Sequence, residues 1–262
     1  MAKTILKKPK IKALLLRGLV REQKHWGDFV KYWREVLPEV EVHLLDLPGI
    51  GTERRRASPF TIEAITDDIR NRWLKLKKED DDSWILFTLS LGSMVALDWA
   101  SRYPEDFKQI TIMNTSAANT SPVWKRLKLR NLPNIIKVAL EKNAFKKEMQ
   151  ILKLTTNLLD NPEALAQTWS KHVLPKNRMR ALALAQLLAA LRFRAPRFLL
   201  PKLTAFVGLK DRFVDSSCTE VLALRYGVIA HRHPDAGHDM CLDTPLWVLK
   251  VLQEELDQIF PA

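Results

Sequence analysis

The sequence predicts an α/β protein: a mostly parallel, twisted sheet with helices on both faces, interrupted by a helical insertion. Three observations carry that reading. Short apolar runs alternate with amphipathic stretches from Ile11 to about Ser116. The rhythm then stops, and residues 121–196 contain no clear strand pattern. After 197 it resumes. Runs that are apolar throughout, rather than every second residue, are those of strands buried on both faces, as in a parallel sheet under helices.

In chain order, the runs 12–17, 41–47, 83–89 and 108–114 read as buried strands. Helical patterns lie between them at 26–37, 61–78 and 91–102. In the second, Ile62, Ile65, Ile69, Trp73 and Leu76 recur at spacings of three and four, which places them on one helix face. Residues 121–196 read as several helices rich in Leu, Ala and Lys, with breaks near Pro133, Asn161-Pro162 and Pro175. Two further strands are expected at 202–209 and 228–234. Thr244-Pro245 then opens a last helix, a capping residue followed by proline in the first turn. The predicted organisation is one core domain made of residues 1–120 and 197–262, with a basic helical cap at 121–196.

The chain has 262 residues, 47% hydrophobic and 27% charged, which excludes an intrinsically disordered protein. Eight glycines and fourteen prolines exclude a collagen-like or low-complexity chain. Two cysteines cannot form a disulfide framework or a four-thiolate metal site. No apolar run approaches the ~20 residues that span a bilayer. The basic N-terminus is followed by too short an apolar run for a signal peptide, so a cytoplasmic location is expected. The net charge is +12, and all of the excess lies between 121 and 200: 16 Lys and Arg against four acids there, and 26 against 26 elsewhere. Such asymmetry points to an anionic partner or surface.

The sharpest motif is Phe87-Thr88-Leu89-Ser90-Leu91-Gly92-Ser93. A buried strand runs into a tight turn with serine at its apex, and a helix leaves at once, so the hydroxyl is lifted clear of the sheet's carboxyl edge. It resembles the nucleophile elbow of the α/β-hydrolase family, G-x-S-x-G, with Thr88 at the first glycine. Phe206 to Val214 resembles the family's acid loop, and Arg232 to Asp239 its histidine loop. The resemblance implies a catalytic set of Ser90, Asp211 and His238, in the family's order of serine, acid, histidine. Taken alone, Asp211 is also a turn former or helix cap, and His238 a surface loop histidine. Leu16 to Val20 resembles the family's His-Gly-x segment, with Arg17 in the histidine's place. By that match the oxyanion-hole N–H groups are those of Leu19 and Leu91.

The resemblance runs from Ile11 to about Ile259, with the basic insertion where the family carries its cap. Size and cap placement are similar to small carboxylesterases and thioesterases, such as those that cleave pimeloyl-carrier-protein methyl ester. The activity this implies is hydrolysis of a carboxylic ester or thioester through an acyl-enzyme, with no cofactor. The alternative is a non-catalytic binding protein on a hydrolase scaffold. His231 and His233 are expected to be structural and no metal is expected. No nucleic-acid module is present. Lys125, Arg126, Lys128 and Arg130 are expected on outward helix faces, docking an acidic acyl-carrier protein or an anionic membrane surface.

Overall fold

The structure, a computed structural model, describes residues 11–77, 83–172 and 175–261. The first ten residues, on which part of the signal-peptide reading rests, and Lys78, the expected end of the second helix, lie outside them. The described residues build one six-stranded sheet: β1 (Ile11–Leu16), β2 (Val40–Leu44), β3 (Ser83–Thr88), β4 (Gln109–Met113), β5 (Lys202–Gly208) and β6 (His231–His233). Its spatial order is β2-β1-β3-β4-β5-β6, and every neighbouring pair is parallel.

The strand side chains alternate between two cores, as a two-residue period requires. Leu14, Leu16, Leu86, Ile110, Ile112, Ala205 and Val207 point to one face. There they meet α2 (Ile62–Leu76), α3 (Leu91–Arg102) and, after β5, α9 (Ser216–Arg225). Ala13, Leu15, Ile85, Phe87 and Phe206 point the other way, toward α1 (Phe29–Val36) and α11 (Pro245–Ile259). The predicted apolar face of α2 is buried in this way, with Trp73 edge-on to Trp84 and Trp99 at ring distances of 5.5 and 5.6 Å.

Between β4 and β5 the described residues hold helices only: α4 (Val123–Arg126), α5 (Leu132–Leu140), α6 (Ala144–Thr155), α7 (Pro162–Trp169) and α8 (Lys176–Arg192). The short α10 (Met240–Asp243) precedes α11. Among the described residues no helix is long and apolar enough to cross a membrane.

Several elements differ from the sequence reading, which did not include α10. The first expected helix breaks in two at Gly27, whose φ of 55° is left-handed; a 3-10 turn (Gln23–Trp26) precedes it and α1 follows. The last strand keeps only His231–His233, because the pairing with β5 ends there. The helix α9 is absent from the sequence reading, although Asp215 caps it by accepting the Ser217 N–H (3.1 Å).

The sheet order reverses between β1 and β3: the chain leaves β1 outward to β2, then returns to β3 on the other side. In open parallel sheets such a switch point leaves a crevice at the strands' carboxyl ends. Ser90 follows β3 there, and Gly18 and Leu19 follow β1.

Candidate active site

Ser90 sits between β3 and α3 with φ 57° and ψ −114°, a conformation that costs a non-glycine residue about 1–3 kcal/mol. Its surroundings hold it there. Its N–H donates to the Met113 carbonyl (2.8 Å), and its own carbonyl accepts from the Thr115 hydroxyl (2.9 Å). A Cβ on Gly92 would lie 2.7 Å from the Leu16 carbonyl oxygen and 2.8 Å from that of Arg17, so only glycine lets α3 approach β1 so closely. Thr88, where the motif has glycine, is fully buried; its hydroxyl donates to the Thr111 carbonyl and lies 3.1 Å from Ser93 Oγ. The departure therefore stitches β3 to β4 beneath the elbow.

Asp211, 2% exposed, uses its two oxygens differently. Oδ1 accepts the N–H groups of Phe213 (2.6 Å) and Val214 (2.9 Å), closing the turn after β5. Oδ2 lies 2.7 Å from His238 Nδ1. Asp211 thus closes a turn with one oxygen and faces His238 with the other. With Nδ1–H on the carboxylate, His238 presents Nε2 as an acceptor. Ser90 and His238 line the same cavity, while among the described residues no hydrogen bond joins them. Catalytic contacts are often long in a free enzyme and tighten with substrate.

The loop carrying His238 is fastened by residues that sequence reasoning missed. Asn114, at φ 45°, donates through Nδ2 to the carbonyls of Gly237 (3.0 Å) and His238 (2.8 Å) and accepts the Gly208 N–H (2.9 Å). Asp243 accepts the Gly237 N–H (2.7 Å) and those of Asn157 and Leu158; burial pushes its carboxyl up while these N–H groups pull it down. Arg17 pairs with Asp239 through its two terminal nitrogens (3.2 and 2.5 Å) and stacks over Trp26 at 4.8 Å. This buried pair ties the loop after β1 to the histidine loop. Asn114 carried one readable signal, an Asn directly after a strand, where a left-handed residue is common.

For the oxyanion, Leu91 is the first residue of α3, so its N–H has no partner within the helix. Leu19 lines the cavity. A Cβ on Gly18 would come within 3.0 Å of Ser90 Cβ, so its backbone packs directly on the serine.

Of the four cations expected outward, two point inward. Arg126 is buried and donates to the Leu191 (2.8 Å) and Ala190 (2.5 Å) carbonyls at the end of α8. Lys128 donates to the Asp211 backbone carbonyl (2.7 Å). The alternation of base and apolar residue misled because α4 is one turn long, too short for a helix period to assign faces. Lys125 and Arg130 are exposed. His231 pairs with Glu255 (3.1 Å), and His233 Nδ1 accepts the Ala236 N–H (3.1 Å). Among the described residues no group of three or more His, Cys, Asp or Glu could hold a metal ion.

Ser90 and His238 open on a cavity of about 680 Å³, within the ordinary range for small-molecule sites. The helical insertion supplies much of its apolar wall, including Ile135, Val138, Ile151, Leu154 and Leu187.

A sequence profile of the alpha/beta hydrolase family matches residues 13–251. The chain belongs to that family. Solved structures of similar fold include an esterase from Thermogutta terrifontis, 21% identical over 96% of this hydrolase and 91% of that chain, with a TM-score of 0.71. The RedJ thioesterase of the prodiginine biosynthetic pathway in Streptomyces coelicolor is 17% identical, covering 94% and 91%, with a TM-score of 0.65. The enol-lactonase from Burkholderia xenovorans LB400 is 16% identical, covering 97% and 93%, with a TM-score of 0.72. At these identities the likeness is one of fold. No curated protein matches the chain in sequence.

Proposed function

We propose that this hydrolase cleaves a carboxylic ester or thioester through an acyl-enzyme on Ser90. The observation that carries the reading is the buried Asp211–His238 pair at 2.7 Å, opening on the cavity into which a strained elbow lifts Ser90. In this scheme His238 Nε2 takes the Ser90 hydroxyl proton as Oγ attacks the acyl carbon. The tetrahedral oxyanion is held by the N–H groups of Leu19 and Leu91. Collapse expels the alcohol or thiol, which receives the proton from His238. Water, deprotonated by the same imidazole, then releases the acid and restores Ser90. Asp211 holds the tautomer and stabilises the imidazolium. No cofactor takes part.

The helical insertion, residues 121–196, serves as a cap that shapes the acyl site. An acidic acyl-carrier protein or an anionic membrane surface remains the proposed partner of its exposed cations, now Lys125 and Arg130 rather than all four. A cytoplasmic setting belongs to the same reading: Cys218 and Cys241 are free and buried, and burial pushes both thiols up, away from the reactive thiolate.

The test is a fluorophosphonate serine probe together with hydrolysis of a short ester. Wild type should label, and Ser90→Ala should not, while losing roughly 10⁴–10⁶-fold in kcat with its fold intact. Wild-type hydrolysis by Ser90→Ala would overturn the mechanism; an inert, unlabelled wild type would make the protein a binding scaffold.

A further inference from the structure

Five cations that line the cavity have no carboxylate partner among the described residues: Arg54, Arg55, Lys147, Arg178 and Arg180. They come from three separate segments, the loop after β2, the helix α6 and the first turn and a half of α8. All but the half-buried Lys147 are exposed, so they stand at the cavity's mouth. The neighbouring carboxylates are already taken. Glu53 and Asp68 pair with Arg56 and Arg72, Glu148 pairs with Arg21 (2.7 Å), and Asp239 pairs with Arg17. In Arg54-Arg55-Arg56, one arginine is bound into the fold and two are left facing the cavity. Deeper in, Arg17 is 3% exposed and its buried Nε has no hydrogen-bond partner.

Uncompensated like charges converging on one opening repel one another, a cost that a solvated surface avoids by spreading them. Guanidinium groups are also suited to two-pronged contact with phosphate and carboxylate. Below them the wall is apolar, from Leu19 and Val20 on the sheet side to Ile135, Val138 and Leu187 on the helical side. We infer that the mouth is an anion subsite, and that the substrate is an amphipathic acyl ester or thioester carrying a phosphate or carboxylate. The apolar chain lies in the cavity, and the anion is held by the arginines of the β2 loop and of α8. This rests on Ser90 being the nucleophile.

Two substrate pairs locate the anion. Octanoyl-glycerol against octanoyl-glycerol 3-phosphate places it on the leaving group; methyl octanoate against the monomethyl ester of octanedioic acid places it on the acyl side. In at least one pair the anionic member should have a kcat/KM about tenfold higher at low salt, mostly through KM, and the advantage should shrink at 500 mM salt. Arg54→Gln/Arg55→Gln and Arg178→Gln/Arg180→Gln should each narrow the preference severalfold, whereas Arg34→Gln, on the exposed surface of α1, should preserve it. Inorganic phosphate should inhibit wild type competitively and the arginine variants more weakly. Equal rates within both pairs, or a preference that the variants leave untouched, would overturn the subsite. So would a preference that appears only when the ester is attached to a carrier protein or a vesicle, because that locates the recognition outside the mouth. Fluorophosphonate labelling of Ser90 in the same variants keeps the two claims apart. Labelled variants with no anion preference defeat the subsite alone, and an unlabelled wild type defeats the mechanism beneath it.

Discussion

The two walls of the cavity are built on opposite plans. On the sheet side each chemical group follows directly from the end of a strand: Ser90 after β3, Asp211 after β5, His238 a few residues beyond β6. Their geometry is set by backbone hydrogen bonds and by glycines that admit close approach, at Gly92 and Gly208, where a Cβ would collide with backbone carbonyls. The helical wall meets that frame through its loops, where the Asn157 and Leu158 N–H groups donate to Asp243 and Lys128 donates to the Asp211 carbonyl. It leaves Val123, Trp124, Leu129, Leu132, Ile136 and Leu140 exposed, and it carries the charge excess. One wall fixes the candidate catalytic groups, and the other sets apolar and basic side chains against the same cavity.

The largest expected effect short of removing Ser90 tests the sheet-side wall. Asn114→Ala removes three buried hydrogen bonds and places alanine at a left-handed φ. Leaving the Gly237 and His238 carbonyls and the Gly208 N–H unpaired should cost about 2–4 kcal/mol in unfolding free energy. Loosening the histidine loop should lower kcat by about 10–100-fold, with KM nearly unchanged. Chemical denaturation and steady-state kinetics measure both. A stable variant with full kcat would show that Asp211 alone positions His238.

A smaller effect sharpens the contrast within the helical wall. Arg126→Ala strips the carbonyls of Ala190 and Leu191 of a charged donor and should cost about 2 kcal/mol. Lys125→Ala, one residue earlier, loses only an exposed 3.3 Å contact with Ser217 and should stay within about 0.5 kcal/mol. If the two lose stability equally, burial is a poor guide to what the cations of this segment do.

The same contrast explains what was legible in the sequence. The sheet, the elbow and the order of Ser90, Asp211 and His238 could be read because each depends on a short window: an apolar run, a turn and the start of a helix. The helical wall could be read only as composition. Whether Arg126 faces solvent depends on the end of α8, about 65 residues away in the chain, and no local period carries that information. Asn114 and the Arg17–Asp239 pair escaped for the same reason, since their partners lie 94 to 222 residues distant. Arg17 stands out in the sequence as a departure from the motif, but its partner Asp239 lies 222 residues away in the chain.

The smallest expected effect lies where the two walls meet. His25, in the 3-10 turn before α1, is 8% exposed and packs edge-on against Trp169 of α7, 4.7 Å between ring centres. Burial holds its imidazole well below the usual value near 6.5, and the positive charges of Arg21 and Arg17 push it further the same way. The native protein therefore keeps His25 neutral under mildly acid conditions in which the unfolded chain takes up a proton. With more protons bound to the unfolded state, stability rises with pH. The contribution is intact above about pH 6.5 and is lost progressively as pH falls from there toward the depressed native value. His25→Gln retains a side-chain oxygen able to accept the Glu22 N–H, which now reaches Nδ1 at 2.9 Å, but it does not titrate. The variant should therefore lose less stability than wild type between pH 7 and 5. At pH 6 the gap in that loss should be no more than about 0.7 kcal/mol, the linkage limit between pH 7 and 6 for an unfolded value near 6.5. Denaturant titrations of both proteins at pH 7, 6 and 5 measure it. Parallel pH profiles would mean that His25 takes up its proton in the folded protein as readily as in the unfolded chain, and that the junction with Trp169 opens to water.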